Sequence, residues 1–232
     1  MSRISMNRTL LTVGVVAPIA FVVVLLIEGA TRPGYSAWRM FGSNLATGPG
    51  GWMQIVNFVA CGVLVMAASV GLAGTSPQSR WGPRLVGVFG LSLIVAGAFV
   101  TDPGMGYPAG TPLKPSGPPS WHGAVHGVNA VVCFGAVTAA ALVYCRAFAR
   151  DRHTRAWAIY SGLTGTACVL LFPAFLATSA MDQNGTWHNA PTGLLQRIAI
   201  AVAWGWVSIV SLRSLRYASP APHLNTVAVP AP

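Results

Sequence analysis

Charge-free apolar runs alternate with short basic or proline-rich breaks along the whole chain. The runs cover residues 9–27, 40–79, 85–101, 121–145 and 156–181, and a further one, 193–212, is interrupted near its start by Arg197. A bilayer core of roughly 30 Å takes about 20 mostly apolar residues per helix. The pattern therefore predicts an all-α, polytopic membrane helix bundle with six transmembrane helices. The second run is long enough for two spans, yet residues 40–51 are rich in Gly, Asn, Ser and Thr and contain Pro49. That stretch reads as loop, which leaves one span beginning at Trp52. Arg3 and Arg8 ahead of the first run give it the look of a secretory leader. The run is longer than the roughly 7–15 apolar residues of a leader and shows no small-x-small cleavage site, so it is expected to stay as a helix. Pro18 in its middle is expected to kink or loosen it, which neighbouring helices tolerate.

Composition supports the membrane reading. Hydrophobic residues make up 53% of the 232 positions and charged ones 8%, with a mean hydropathy of +0.59, whereas soluble domains carry about 25% charged residues. Residues 1–217 are expected to form a single six-helix transmembrane domain. Residues 218–232, with four prolines and no charge, are expected to form a disordered tail. Of the 14 basic residues, ten fall on one side of the six-span arrangement: Arg3, Arg8, Arg80, Arg84, Arg146, Arg150, Arg152, Arg155, Arg213 and Arg216. Four fall on the other: Arg32, Arg39, Lys114 and Arg197. The positive-inside rule then makes both termini cytoplasmic. The net charge of +10 is explained by topology and by attraction to anionic membrane lipids, worth about 1 kcal/mol per basic residue near the surface. No nucleic-acid partner is expected. Cys61, Cys133, Cys145 and Cys168 all lie inside or at the edge of spans without short-range pairing, so they read as packing residues, with neither a disulfide framework nor a metal motif. No cofactor is expected.

Candidate chemistry gathers at the side opposite the termini. Asp102 and Asp182 sit where the third and fifth spans stop, and His122, His126 and Arg197 sit where the fourth and sixth begin. Each has the wrong sign for its own helix dipole, so mutual compensation in one polar cluster is expected. Arg197, about one turn inside its span, is expected to pair with Asp182 or Asp102; Glu28 joins the cluster or pairs locally with Arg32. His122 and His126 share a helix face, with Gly123 and Gly127 as a GxxxG step where a neighbouring backbone could approach. The pair reads either as two metal ligands completed by a carboxylate or as an interfacial His122 with His126 bonding across helices. Gln54 and Asn57, one turn apart, are expected to face the interior, and Asn129 to extend the polar strip inward. The loop 102–120, with six prolines and four glycines, is expected to lie extended over the mouth.

Several short motifs occur in a fixed order. They are Pro33-Gly34-Tyr35-Ser36, then Gly48-Pro49-Gly50-Gly51-Trp52-Met53-Gln54 entering the second span, and Asp102-Pro103 after the third. Ser120-Trp121-His122-Gly123 with His126 opens the fourth, and Gly193-Leu194-Leu195-Gln196-Arg197 opens the sixth. Through them the stretch 9–215 resembles a bacterial family of six-helix membrane proteins catalogued as domain of unknown function 998. The resemblance implies one six-helix domain in a bacterial cell membrane and supplies no activity, substrate or catalytic residue. The reading adopted is a non-enzymatic multi-pass protein. Its outer cluster, Glu28, Gln54, Asn57, Asp102, His122, His126, Asp182 and Arg197, binds or senses a small molecule or lipid headgroup. The alternatives are a membrane-embedded metal-dependent hydrolase using His122, His126 and carboxylates, and a structural or assembly subunit. A haem carrier would need axial ligands from facing helices, and His126 alone is so placed. Transport finds no inverted repeat or paired broken helices to support it.

Overall fold

The computed structural model describes residues 3–75 and 79–217; the expected disordered tail, 218–232, falls outside the described residues. Six helices account for the fold: α1 (Arg3–Thr31), α2 (Trp52–Thr75), α3 (Trp81–Ala98), α4 (Trp121–Phe148), α5 (Arg155–Gln183) and α6 (Thr192–Tyr217). All six are long and apolar enough to cross a membrane. There is no strand among the described residues. Trp52, Trp81 and Trp121 open α2, α3 and α4 and are each more than 60% exposed, which suits indole rings at a membrane interface. α1 runs as one helix through Pro18. The loop before α2 holds a single 3-10 turn, Gly42–Ala46.

Each helix packs on the next in sequence, and α6 returns to α1, so the six close into a ring. The late residues of α1, α3 and α5 meet the early residues of α2, α4 and α6 around one space, as an up-and-down bundle requires. The end opposite the termini is called distal below. Small residues set the tightest seams. A Cβ on Gly62 of α2 would sit 2.6 Å from the Gly90 carbonyl oxygen of α3, and one on Gly90 would sit 2.8 Å from the Met66 nitrogen. The core is aromatic. Trp204 on α6 takes Phe89 edge-on with ring centroids 4.6 Å apart, Phe21 at 5.5 Å and Phe134 at 5.9 Å. Below it, Trp206 donates to Ser161 Oγ at 3.1 Å.

The proline-rich loop does not simply lie across the mouth. Its first part turns inward, with Gly104 and Tyr107 exchanging backbone hydrogen bonds of 3.0 and 3.1 Å around Met105 and Gly106, both at positive φ. Met105 and Tyr107 are thereby buried against Met40, Tyr35 and Phe41. The apolar side chains decide this: Met and Tyr gain more from that pocket than Pro112, Pro115, Pro118 and Pro119 behind them, which stay exposed.

Candidate functional site

The charged residues expected to form one cluster are distributed among separate anchors. Arg197 lies one turn into α6 and is buried. Its Nη1 donates to the carbonyl oxygens of Ala37 (2.8 Å), Met40 (3.2 Å) and Gly193 (2.9 Å), and its Nη2 donates to the Tyr35 hydroxyl. The expected carboxylate partner is replaced by the backbone of the α1–α2 loop, whose carbonyls converge on the guanidinium from above. A side chain at Gly193 would collide with the Ala37 and Met40 carbonyls, so the glycine opening α6 admits the loop. Tyr35 passes its own hydrogen to the Phe41 carbonyl at 2.9 Å or the Met40 carbonyl at 3.2 Å. Burial pushes its phenol pKa up, with the Arg197 charge opposing.

Asp182, fully buried, pairs instead with Arg39 through Nε and Nη2 and accepts from the Asn189 backbone at 3.0 Å. Glu28 meets Arg32 at 2.8 Å, the local pair allowed by the sequence, and Arg32 also reaches the Pro49 and Gly50 carbonyls. Asp102 has the wrong sign for the end of α3 but the right sign for the start of α4, where it acts. Its two oxygens accept from the Ser120 backbone and hydroxyl, and Ser120 Oγ in turn accepts from Gly123 nitrogen at 3.0 Å, capping the helix. The Asp102 carboxylate occupies the space a Gly123 side chain would need, while a Cβ on Gly127 meets nothing within 4 Å. The GxxxG step thus admits a carboxylate rather than a neighbouring helix backbone.

The histidines separate as well. His122 is exposed and stacks on Trp121, centroids 3.6 Å apart. His126 lies 2.8 Å through Nδ1 from the Phe99 carbonyl; a carbonyl only accepts, so Nδ1 carries the hydrogen and the bond crosses from α4 to the end of α3. Among the described residues no three His, Cys, Asp or Glu side chains come together as a metal-holding group. The four cysteines are all free thiols.

What the helices do enclose is a cavity of about 220 Å³ at the distal half of the ring. All six contribute to its wall, which is mainly aromatic and aliphatic: Phe58, Phe134, Phe175 and Trp204 among others. Its polar lining includes Gln54, His126, Asn129 and Gln196, and among the described residues no Asp, Glu, Lys or Arg takes part. Asn129 donates to the Ser92 carbonyl (2.8 Å), and Gln196 Oε1 accepts from Gly42 nitrogen (2.7 Å). Asn57 donates both to the Phe21 carbonyl and to Gln54 Oε1, each at 3.1 Å. That commits the Gln54 carbonyl and leaves its amide nitrogen over. Gln54 Nε2 and Trp204 Nε1 are buried donors that find no hydrogen-bond partner among the described residues.

A family model described as protein of unknown function (DUF998) matches residues 15–213. The chain is a DUF998 protein. No curated protein and no solved structure matches it. The match on this DUF998 chain reaches from within α1 to within α6, so the cavity and the anchors lie inside it. Sequence reasoning named Gln54 and His126, which line the cavity, and Arg197, Asp182, Asp102 and Glu28, which do not. It missed Tyr35 and Arg39 as partners, though Tyr35 stands in one of the short motifs and Arg39 among the four basic residues of the side opposite the termini. Trp204 gave no signal, being one apolar residue in an apolar run.

Proposed function

We propose that this DUF998 protein is a non-enzymatic, multi-pass protein of a bacterial cell membrane, with cytoplasmic termini, that binds a small uncharged molecule in its central cavity. The observation that carries the reading is the pair of unpartnered donors, Gln54 Nε2 and Trp204 Nε1, of residues that line a mainly apolar cavity. A buried donor left unmet costs about 1–3 kcal/mol, and a ligand bearing acceptors recovers that cost. Convergent polar groups in an apolar, preformed cleft are the usual make-up of a ligand site. The charged residues at the distal end serve a different purpose in this reading: each is met by a loop backbone or a neighbouring side chain, so they hold the roof of the site. The ligand role thereby moves from the mouth to the interior.

Native mass spectrometry of protein extracted in lipid nanodiscs tests it. Wild type should retain a small neutral molecule that Gln54→Leu loses. Equal occupancy in the two, or none in either, sinks the proposal.

A further inference from the structure

Gly127 and Val131 on α4 and Leu176 on α5 line the cavity and are also exposed on the outer surface of the ring, Val131 at 57% and Leu176 at 44%. A side chain does both only at the edge of an opening. Nearer the termini the same two helices are sealed: Phe134 packs on Phe172 and Phe175 with centroids 5.2 and 5.4 Å apart, and Gly165 rests on Leu142. The gap is therefore confined to the distal half of the α4–α5 seam. Gly127 widens it, since nothing lies within 4 Å of the place its Cβ would take. Because α4 and α5 are both membrane-spanning in length and composition, this opening faces hydrocarbon rather than water.

Resting on the reading of the cavity as a binding site, we infer that its occupant enters sideways from the bilayer between α4 and α5 and is a lipid-soluble molecule with a flat, acceptor-bearing head and an apolar tail, the chemistry of a prenylated quinone. Three features select that class. The lining holds no charged residue to meet a phosphate or ammonium group, and an isolated charge there would be strongly disfavoured. The two unmet groups are both donors, and a quinone ring offers two carbonyl acceptors and brings no donor of its own. Phe58, Phe134 and Trp204 present aromatic surface on which a flat ring packs well. The cavity volume, about 220 Å³, holds a substituted ring and leaves the tail to trail through the gap into the lipid.

The test uses the full chain in nanodiscs and three probes: a benzoquinone with a decyl tail, the same ring without the tail, and dioctanoylglycerol. Gly127→Phe and Leu176→Trp narrow the gap, Gln54→Leu removes one donor, and Val70→Trp alters an exposed position on α2 as control; a thermal midpoint checks that each variant is folded. The tailed quinone should bind wild type and Val70→Trp alike. Its affinity should fall about ten-fold in Gln54→Leu, in keeping with the loss of one buried hydrogen bond, and its association should slow by a similar factor in both gap variants. Unchanged association in both folded gap variants overturns the lateral entry and leaves the cavity reading standing. Binding of dioctanoylglycerol without either quinone overturns the ligand class. Failure of every probe to bind removes the inference, while a neutral molecule still retained by wild type and lost in Gln54→Leu would show that the broader reading survives it.

Discussion

Gly123 is fixed by a side chain outside its own helix: the Asp102 carboxylate that caps α4 occupies the space a Cβ would take. Gly123→Ala should therefore displace the cap and lower stability by about 1–2 kcal/mol, the usual worth of an N-cap. In a double-mutant cycle, Gly123→Ala should cost clearly less when Asp102 is already alanine, and additive thermal midpoints would contradict the account. The Arg39 and Asp182 pair predicts a larger effect. Asp182 is fully buried and Arg39 about a quarter exposed, so Arg39→Ala strands a buried carboxylate and should cost about 3 kcal/mol; adding Asp182→Asn should recover part of it in the same melting experiment. Tyr35 gives a prediction in pH. Its folded pKa is raised above the ordinary value of 10.0 by burial, so the associated stability is complete below that value and is lost as pH rises through the folded one. The thermal midpoint of wild type should thus fall more steeply above pH 10 than that of Tyr35→Phe, and parallel curves would contradict it.

At the scale of elements, what could be read from the sequence was where helices run, because a bilayer demands unbroken apolar length and the chain supplies six such stretches. The reach of Arg197 could not be read: its partners are backbone carbonyls, which every residue possesses and no pattern distinguishes. Asp102 shows the same difficulty in another form, since its sign was judged against the helix that precedes it and not the one it caps. The cavity was invisible because Phe58, Phe134 and Trp204 look like any core aromatics until their packing leaves a space. Glycines differ physically by where they sit, Gly62 on the α2–α3 seam and Gly135 on α4. Gly62→Ala would press on the Gly90 carbonyl and the Ile94 nitrogen, both backbone, whereas a Cβ on Gly135 meets nothing within 4 Å. The first should lower the midpoint in detergent, and the second should leave it unchanged or raise it by the equivalent of about 0.5–1 kcal/mol.

For the whole molecule, α5 and α6 are tied to the α1–α2 loop through Arg197, Tyr35, Arg39 and Asp182. Among the described residues no polar tie of this kind joins α4 to α5 in the distal half, the place where lateral entry is proposed. The proposed orientation is open to direct measurement. With Cys145→Ser as background, Ser116→Cys should react with a membrane-impermeant maleimide on intact cells and Arg152→Cys only after lysis; the reverse would invert the topology. The Arg197 anchor also sets an order of events during synthesis. The Ala37 carbonyl leaves the ribosome 160 residues before the guanidinium that holds it, and Arg39 precedes Asp182 by 143. Through the making of most of four further helices Arg39 lacks Asp182 and the Ala37 carbonyl lacks Arg197, and a nascent chain released before residue 182 acquires neither partner. Such a fragment carries bare carbonyls and an unmatched Arg39, so it should turn over faster than the full chain in a pulse-chase measurement.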